Sequence, residues 1–267
     1  MPEAIPLDTR DLIVDRTDPA VAVVTINRPR RRNAMTLAMW RELGRIFERL
    51  GQEPDLRAII LTGAGGAFCA GADISEFPAV RATPEDGRAY EAAGDACQTL
   101  IQTSAKATIA AISGPCYGGG AGLALACDFR VADHTSYFAI PAARLSNVYG
   151  VVETRALFNA VGLAAAKDVL FSGRRYEAAE ARGIGLATHL ADGDALTGAR
   201  VLAASLRSSA PLTIKGAKIV LAAIAEAQVH ARQSTIHGVM DEAMASADYK
   251  EGVAAFAAKR DPVFRGR

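Results

Sequence analysis

Little in this sequence offers redox, metal or membrane chemistry. Its four cysteines, Cys69, Cys97, Cys116 and Cys127, contain no CxxC pair, so neither a zinc ribbon nor a dithiol motif is spelled out, and they read as reduced thiols. The four histidines, at 134, 189, 230 and 237, form no ligand spacing, and no metal is expected. Charge or glycine interrupts every apolar run before it reaches the roughly 18 residues of a membrane-crossing helix. An excess of one charge is missing too. Thirty Lys and Arg against 29 Asp and Glu leave a formal charge of +1, so no global field recruits nucleic acid or a membrane surface. The expected partner is a small molecule and the expected location cytoplasmic.

What is present is apolar bulk and glycine. Half of the 267 residues are hydrophobic, enough for a sizeable core in one large domain or in a domain with an appendage. The stretch from Gly114 to Asp128, GPCYGGGAGLALACD, follows the apolar run Ala107–Ile112 and reads as strand, tight turn and helix. Glycines let backbone approach a ligand closely, and the first N–H groups of a helix have no internal partners. The same glycines equally suit plain helix packing. A second glycine-rich loop, Gly63 to Asp73, follows the buried-type run Leu56–Thr62. Two such loops are what aiming two backbone N–H groups at one carbonyl oxygen would require.

The remaining chain is legible in outline. Asp11–Asp15 and Val21–Asn27 flank Asp18-Pro19 and predict an opening hairpin. The run Arg28–Asn33, RPRRRN, precedes a helix with the apolar face Met39, Leu43, Ile46, Phe47 and Leu50. It reads either as a solvated loop or as a phosphate contact. A helix is expected over about Gly87–Thr103, brief strands over Phe129–Ala132 and Tyr137–Ile140, and helix from Val151 with a stop at Gly173. After a short helix near Ala178 and a last strand over Leu186–Leu190, only helical periodicity remains. The composition changes near 205, predicting a core over 1–204 and a helical C-terminal region over 205–267. Its apolar side chains, Leu212, Ile214, Ile219, Leu221 and Ile224, exceed what one small helix needs and suggest packing on another subunit. No internal repeat is evident.

INRPRRRNAM at 26–35, AFCAGADISEF at 67–77, GPCYGGGAGLALACDFRVA at 114–132, FSGRRYEAAEARGIGLA at 171–187 and the ending DYKEGVAAFAAKRDPVF together resemble the enoyl-CoA hydratase/isomerase (crotonase) family. The resemblance spans nearly the whole chain. It implies an α/β fold of ββα turns coiled into a spiral, a C-terminal helical trimerisation region, and a homotrimer or dimer of trimers. It also implies an acyl-CoA substrate, with coenzyme A as part of the substrate and no separate cofactor. Ala72 and Gly119 match the family's two oxyanion donors. Arg32, Asn33, Ala34, Ala70 and Ile74 fall where the family holds the CoA nucleotide, largely through backbone. Phe256 and Lys259 match a segment that can reach the nucleotide of a neighbouring subunit.

One departure bears on the reaction. The family's two hydratase glutamates would stand at Gly122 and Ala142, and neither carboxylate is present. Hydration needs a group to deprotonate water and another to handle the α-proton, so the sequence counts against ordinary hydratase activity; isomerases of the family generally keep the second glutamate, so it counts against a simple double-bond shift too. Nearby stand Tyr149 and Glu153 in LSNVYGVVETR. Tyr149 resembles a tyrosine of the family's methylmalonyl-CoA decarboxylases, or is a wall of the acyl pocket. Glu153 is a relocated base if its helix points it inward, or a solvated residue favoured by the helix dipole. Asp73 is expected to fix its loop by hydrogen bonds and Asp128 to support a strand end. A decarboxylase, a lyase using Tyr149 or Glu153, and a non-catalytic acyl-CoA carrier all remain readings of the sequence.

Overall fold

Uninterrupted apolar runs become the central strands, because a strand covered on both faces has no reason to alternate. The computed structural model describes residues 9–267, so the first eight residues of the predicted core lie outside the described ones. β1 (Leu12–Asp18) and β2 (Val21–Ile26) form the antiparallel opening hairpin. β3 (Ala58–Gly63) and β4 (Ala107–Ile112) pair in parallel beside them and are almost wholly buried. With β6 (Phe129–Ala132) and β9 (His189–Leu190) they make a six-stranded sheet in the order β1-β2-β3-β4-β6-β9. A second sheet has the order β5-β7-β8, formed by Pro115–Tyr117, Tyr137–Ala139 and Tyr176–Glu177. A parallel bridge from Cys69 to Cys116 carries that small sheet back toward the first glycine loop.

The helices fill the turns between strands. α1 (Leu37–Gln52) buries the predicted stripe of Met39, Leu43, Ile46, Phe47 and Leu50, and Thr36 caps its start by accepting from Met39 N. After the short α2 (Phe77–Val80), α3 (Pro84–Gln102) opens on a capping box between Thr83 and Asp86, which satisfies two otherwise orphaned donors. α4 (Gly119–Ala126) is apolar and buried along nearly its whole length. α5 (Val151–Ser172) is interrupted at Gly162, where φ is +75°, and ends on left-handed Gly173. α6 (Ala178–Ile184) returns the chain to β9. Strand of the large sheet, strand of the small sheet, helix: β4-β5-α4 and β6-β7-α5 each trace one such turn, giving a crotonase-like α/β spiral. The repeat is structural and leaves no trace in the sequence, since each turn meets different neighbours.

α7 (Ala195–Leu206) places Ala195, Ala199 and Ala203 against the outer face of β3, β4 and β6. A 108° bend then leads to α8 (Pro211–Ala225), α9 (Gln233–Ala245) and α10 (Ala247–Ala257). These three helices carry exposed apolar side chains, among them Leu221, Ile224, Met240, Met244, Val253 and Phe256. Among the described residues no single helix is long and apolar enough to cross a membrane. All four cysteines are free and buried.

Candidate active site

The two glycine loops are stitched together by backbone. Cys69 N donates to Pro115 O at 3.0 Å and Tyr117 N donates to Cys69 O at 2.9 Å. Met35 docks beside them: its N–H donates to Gly71 O at 2.8 Å, and its carbonyl accepts from Asp73 N at 2.8 Å. Those bonds use the groups flanking Ala72, so the Ala72 N–H faces the opposite way, toward the second loop. The partner there is Gly119, the first residue of α4, whose N–H has no acceptor within its helix. The approach is close, since a Cβ on Gly119 would lie 3.8 Å from Ala72 N, and one on Gly71 only 3.1 Å from Gly119 N. Two neighbouring backbone N–H groups, one of them at a helix N-terminus, can receive one oxygen that gathers negative charge if both point to it.

The three consecutive glycines do different work. Gly118 has φ +54° and ψ −123°, a conformation open essentially to glycine alone. At Gly119 a Cβ would lie 3.1 Å from the nearest Trp40 ring carbon. Gly120 is the packing glycine, because its Cβ would fall 2.3 Å from Cys69 O. The packing reading of the triple glycine therefore holds at Gly120. Gly120→Ala should cost at least about 2 kcal/mol in denaturant unfolding through overpacking. Gly94→Ala, inside α3 with open space around it, should instead gain about 0.5–1 kcal/mol.

Glu153 is turned inward. It sits in the first turn of α5, where the helix dipole would favour its charge, yet burial pushes its carboxyl up to about 7 from 4.5, with Glu91 and Asp95 adding like-charge repulsion. Gln98 Nε2 donates to Glu153 Oε1 at 2.9 Å and partly offsets that rise. A Cβ on Gly122 would lie 3.0 Å from Glu153 Oε1. The carboxylate from α5 thus occupies the room that glycine leaves on α4. Tyr149 points its hydroxyl at the turn before Gly119, 3.3 Å from where a Gly118 Cβ would stand. Burial, then Glu153 and Glu91, raise the phenol well above its usual range. Ala142 is buried in the hydrophobic core.

A raised carboxyl carries a stability consequence. Glu153 holds its proton more tightly folded than unfolded, so its contribution to native stability is fully present below about pH 4.5 and is lost as pH rises through about 7. Glu153→Gln should therefore be more stable than wild type at about pH 8, by on the order of 2 kcal/mol, and no more stable near pH 4. Chemical denaturation at the two pH values measures the difference.

An open groove of about 720 Å³ lies beside this centre, lined by Arg81, Arg88, Glu91, Asp95, Asn147 and Val148 among others. Arg81 is paired with Glu91 at 2.8 Å and lies over the rings of Phe77 and Tyr90.

The predicted nucleotide-contact residues divide. Arg32 and Ile74 expose their side chains, and Arg32 O accepts from Ala70 N at 2.9 Å. Asn33 is buried, and its side chain donates to Ala64 O and Ala67 O and accepts from Arg28 N. Ala34, beside it, is nearly buried, and its carbonyl accepts from Arg28. Arg28 also bonds Asp73 at 3.0 Å, so it braces the loop, whereas Arg30, Arg31 and Arg32 face solvent. Asp73 is held below the usual carboxylate range by the Ser75 hydroxyl and by Arg28. Asp128 ties Thr108 to Lys218. Both aspartates brace structure, as expected. Phe256, 88% exposed, and Lys259 sit at the end of α10, which packs on α9. Missed by sequence reasoning were Gln98, Gly71 and Trp40. Gln98 had a signal: it lies on the stripe of α3 that also buries Tyr90, Cys97 and Ile101.

Comparison with known proteins agrees with this architecture. The enoyl-CoA hydratase/isomerase family profile matches residues 16–267. The enoyl-CoA hydratase EchA19 of Mycobacterium tuberculosis is 33% identical over 264 residues, covering 96% of this chain and 97% of its own. A peroxisomal Delta(3,5)-Delta(2,4)-dienoyl-CoA isomerase of Arabidopsis thaliana is 30% identical over 268 residues, with 96% of both chains covered. The crystal structure of an enoyl-CoA hydratase from Bacillus anthracis superposes with a TM-score of 0.88 at 30% identity, covering 97% of this chain and all of that one. The family match and these relatives define an acyl-CoA-processing enzyme of the crotonase superfamily. The chain belongs to the enoyl-CoA hydratase/isomerase family. Hydratases and an isomerase stand side by side among its relatives, so relatedness leaves the reaction open.

Proposed function

We infer that this protein catalyses proton transfer α to an acyl-CoA thioester, with Glu153 as its base and the N–H groups of Ala72 and Gly119 as the oxyanion hole. The observation that carries this reading is the Glu153 carboxylate in the space beside Gly122, with its ionisation raised to about 7, near the value that suits a general base at neutral pH. The carboxylate takes the α-proton. The C–H electron pair forms the enolate double bond, and the carbonyl pair moves onto the oxygen between Ala72 and Gly119. The resulting carboxylic acid returns the proton to the α-carbon, or to the γ-carbon when the substrate is a β,γ-unsaturated thioester. One base suffices for that allylic shift, whereas hydration needs two acid/base groups and Ala142 supplies none.

Tyr149 fits better as a wall and hydrogen-bond donor beside the hole than as the anchor of a decarboxylase. Glu91 and Asp95 place negative charge beside Glu153, which opposes a malonyl-type carboxylate there. Coenzyme A would enter as part of the substrate, its nucleotide held along Arg32–Ala34, Ala70 and Ile74, with Arg30–Arg32 toward its phosphates. The exposed apolar faces of α8–α10 support a trimer or a dimer of trimers, in which Phe256 and Lys259 would reach a neighbour's nucleotide. Residues 205–267 are then the assembly region.

A substrate panel tests the reaction. Vinylacetyl-CoA should be converted to crotonyl-CoA, crotonyl-CoA should be hydrated at least about 100-fold more slowly than by a two-glutamate hydratase, and malonyl-CoA should keep its carboxylate. Tight binding of every ester with turnover of none would identify a carrier instead.

A further inference from the structure

Gln98 is 1% exposed and lies on the apolar stripe of α3. Its amide nitrogen donates to Glu153, while its amide oxygen is buried with no hydrogen-bond partner among the described residues. An unpaired buried acceptor ordinarily costs about 1–3 kcal/mol, so a native protein that keeps one has a use for it. Both ends of the amide border the same space. A Cβ on Gly122 would lie 3.1 Å from Gln98 Nε2 and 3.2 Å from Gln98 Oε1, beside Glu153 Oε1 at 3.0 Å. A half-turn about the terminal side-chain torsion, which is soft and roughly two-fold, exchanges the two.

A base that returns its proton spends part of each cycle as a carboxylic acid. The carboxylate needs a donor, and the acid needs an acceptor for its O–H. A neutral primary amide carries both. We propose that Gln98 is a positioning residue that holds Glu153 in both protonation states, donating through Nε2 to the carboxylate and, turned over, accepting through Oε1 from the acid. The proposal rests on the reading of Glu153 as the base. The other groups facing Glu153 are Glu91 and Asp95 from α3 and Tyr149 from the segment before α5. Arg81, which lines the groove with Glu91 and Asp95, is engaged by Glu91. Without Gln98 the carboxylate would face like charges and a phenol alone.

Gln98→Met keeps the length and removes both amide functions. Folded Gln98→Met should convert vinylacetyl-CoA with kcat lower by about tenfold or more and KM changed by less than about threefold. The rising limb of its pH–rate profile should move up by about half a unit to one unit, because the charge-assisted bond lost is stronger than the neutral one. Added to Glu153→Gln, Gln98→Met should cause no further loss. In the wild-type protein, whatever the Met variant does, the side-chain amide resonances of Gln98 should titrate with the same midpoint as the carboxyl carbon of Glu153. A wild-type pH profile in folded Gln98→Met, or a Gln98 amide that stays flat across the Glu153 titration, would overturn the assignment. Loss of turnover in Glu153→Gln alongside wild-type behaviour in Gln98→Met removes only the role of Gln98. Full turnover in Glu153→Gln removes the base itself.

Discussion

Replacing Glu153 by Gln should lower kcat for vinylacetyl-CoA conversion by about 10²–10⁴-fold, the usual contribution of a positioned general base, while KM stays within a few-fold. The substitution removes one ionisable oxygen and keeps the shape, so the contact with Gln98 and the packing beside Gly122 survive. Only the proton acceptor is lost. The pH dependence should match. Burial and the carboxylates of Glu91 and Asp95 hold Glu153 protonated up to about pH 7, and the acid form cannot take a proton. Wild-type kcat should therefore rise with pH through about 7 and level off above it. Steady-state rates across that range measure both effects. An unperturbed glutamate would give a limb near its usual value of about 4.3.

Gly71→Ala should be nearly as damaging, with no ionisable group touched. Gly71 has φ +91°, and a Cβ there would press to 2.8 Å from Tyr117 O and 3.1 Å from Gly119 N. The added methyl cannot be accommodated by a flexible side chain, because backbone surrounds it. It must push the Ala72 and Gly119 loops apart. Losing one donor of an oxyanion hole costs about 2.7–4 kcal/mol of transition-state stabilisation, or about 10²–10³ in kcat. The variant should fold with reduced stability, since a non-glycine residue in left-handed backbone costs about 1–2 kcal/mol. Kinetics on vinylacetyl-CoA, read against the unfolding curve, separates the two effects. An intact rate in a destabilised protein would place the oxyanion elsewhere.

Most of the scaffold was legible because local signals and tertiary context agree. Leu56–Thr62 and Ala107–Ile112 are apolar without alternation, which only a doubly covered strand tolerates, and both form central strands. The stripe of the first helix and the stop at Gly173 are local too. The spiral was not legible from periodicity, since its turns share geometry and no residue pattern. Only the family resemblance supplied it. Within the site, the sequence could place glycines on two loops but could not say which glycine serves packing, because Gly120 is defined by a carbonyl 51 positions earlier, that of Cys69. Glu153 was ambiguous for a related reason. A carboxylate in a first helical turn is usually solvated, and only the missing side chain at Gly122 together with Gln98 across the cleft makes room for it inside.

The arginine run shows the same limit from the other side. Four arginines in five positions look alike in a sequence, yet Arg28 is consumed by Asp73, Asp11 and the Ala34 carbonyl. The three that follow remain on the surface beside the loop that carries Ala70.

The most direct test of the account is exchange of the α-protons of butyryl-CoA in heavy water. That ester has no double bond to move, no water to add across and no carboxylate to lose, so exchange reports enolisation alone. Wild-type protein should incorporate deuterium at the α-carbon, at a rate that rises through about pH 7, and Glu153→Gln should abolish the incorporation. Undiminished exchange in Glu153→Gln, or none in wild type that binds the ester, would contradict Glu153 as the base of an enolate-forming site.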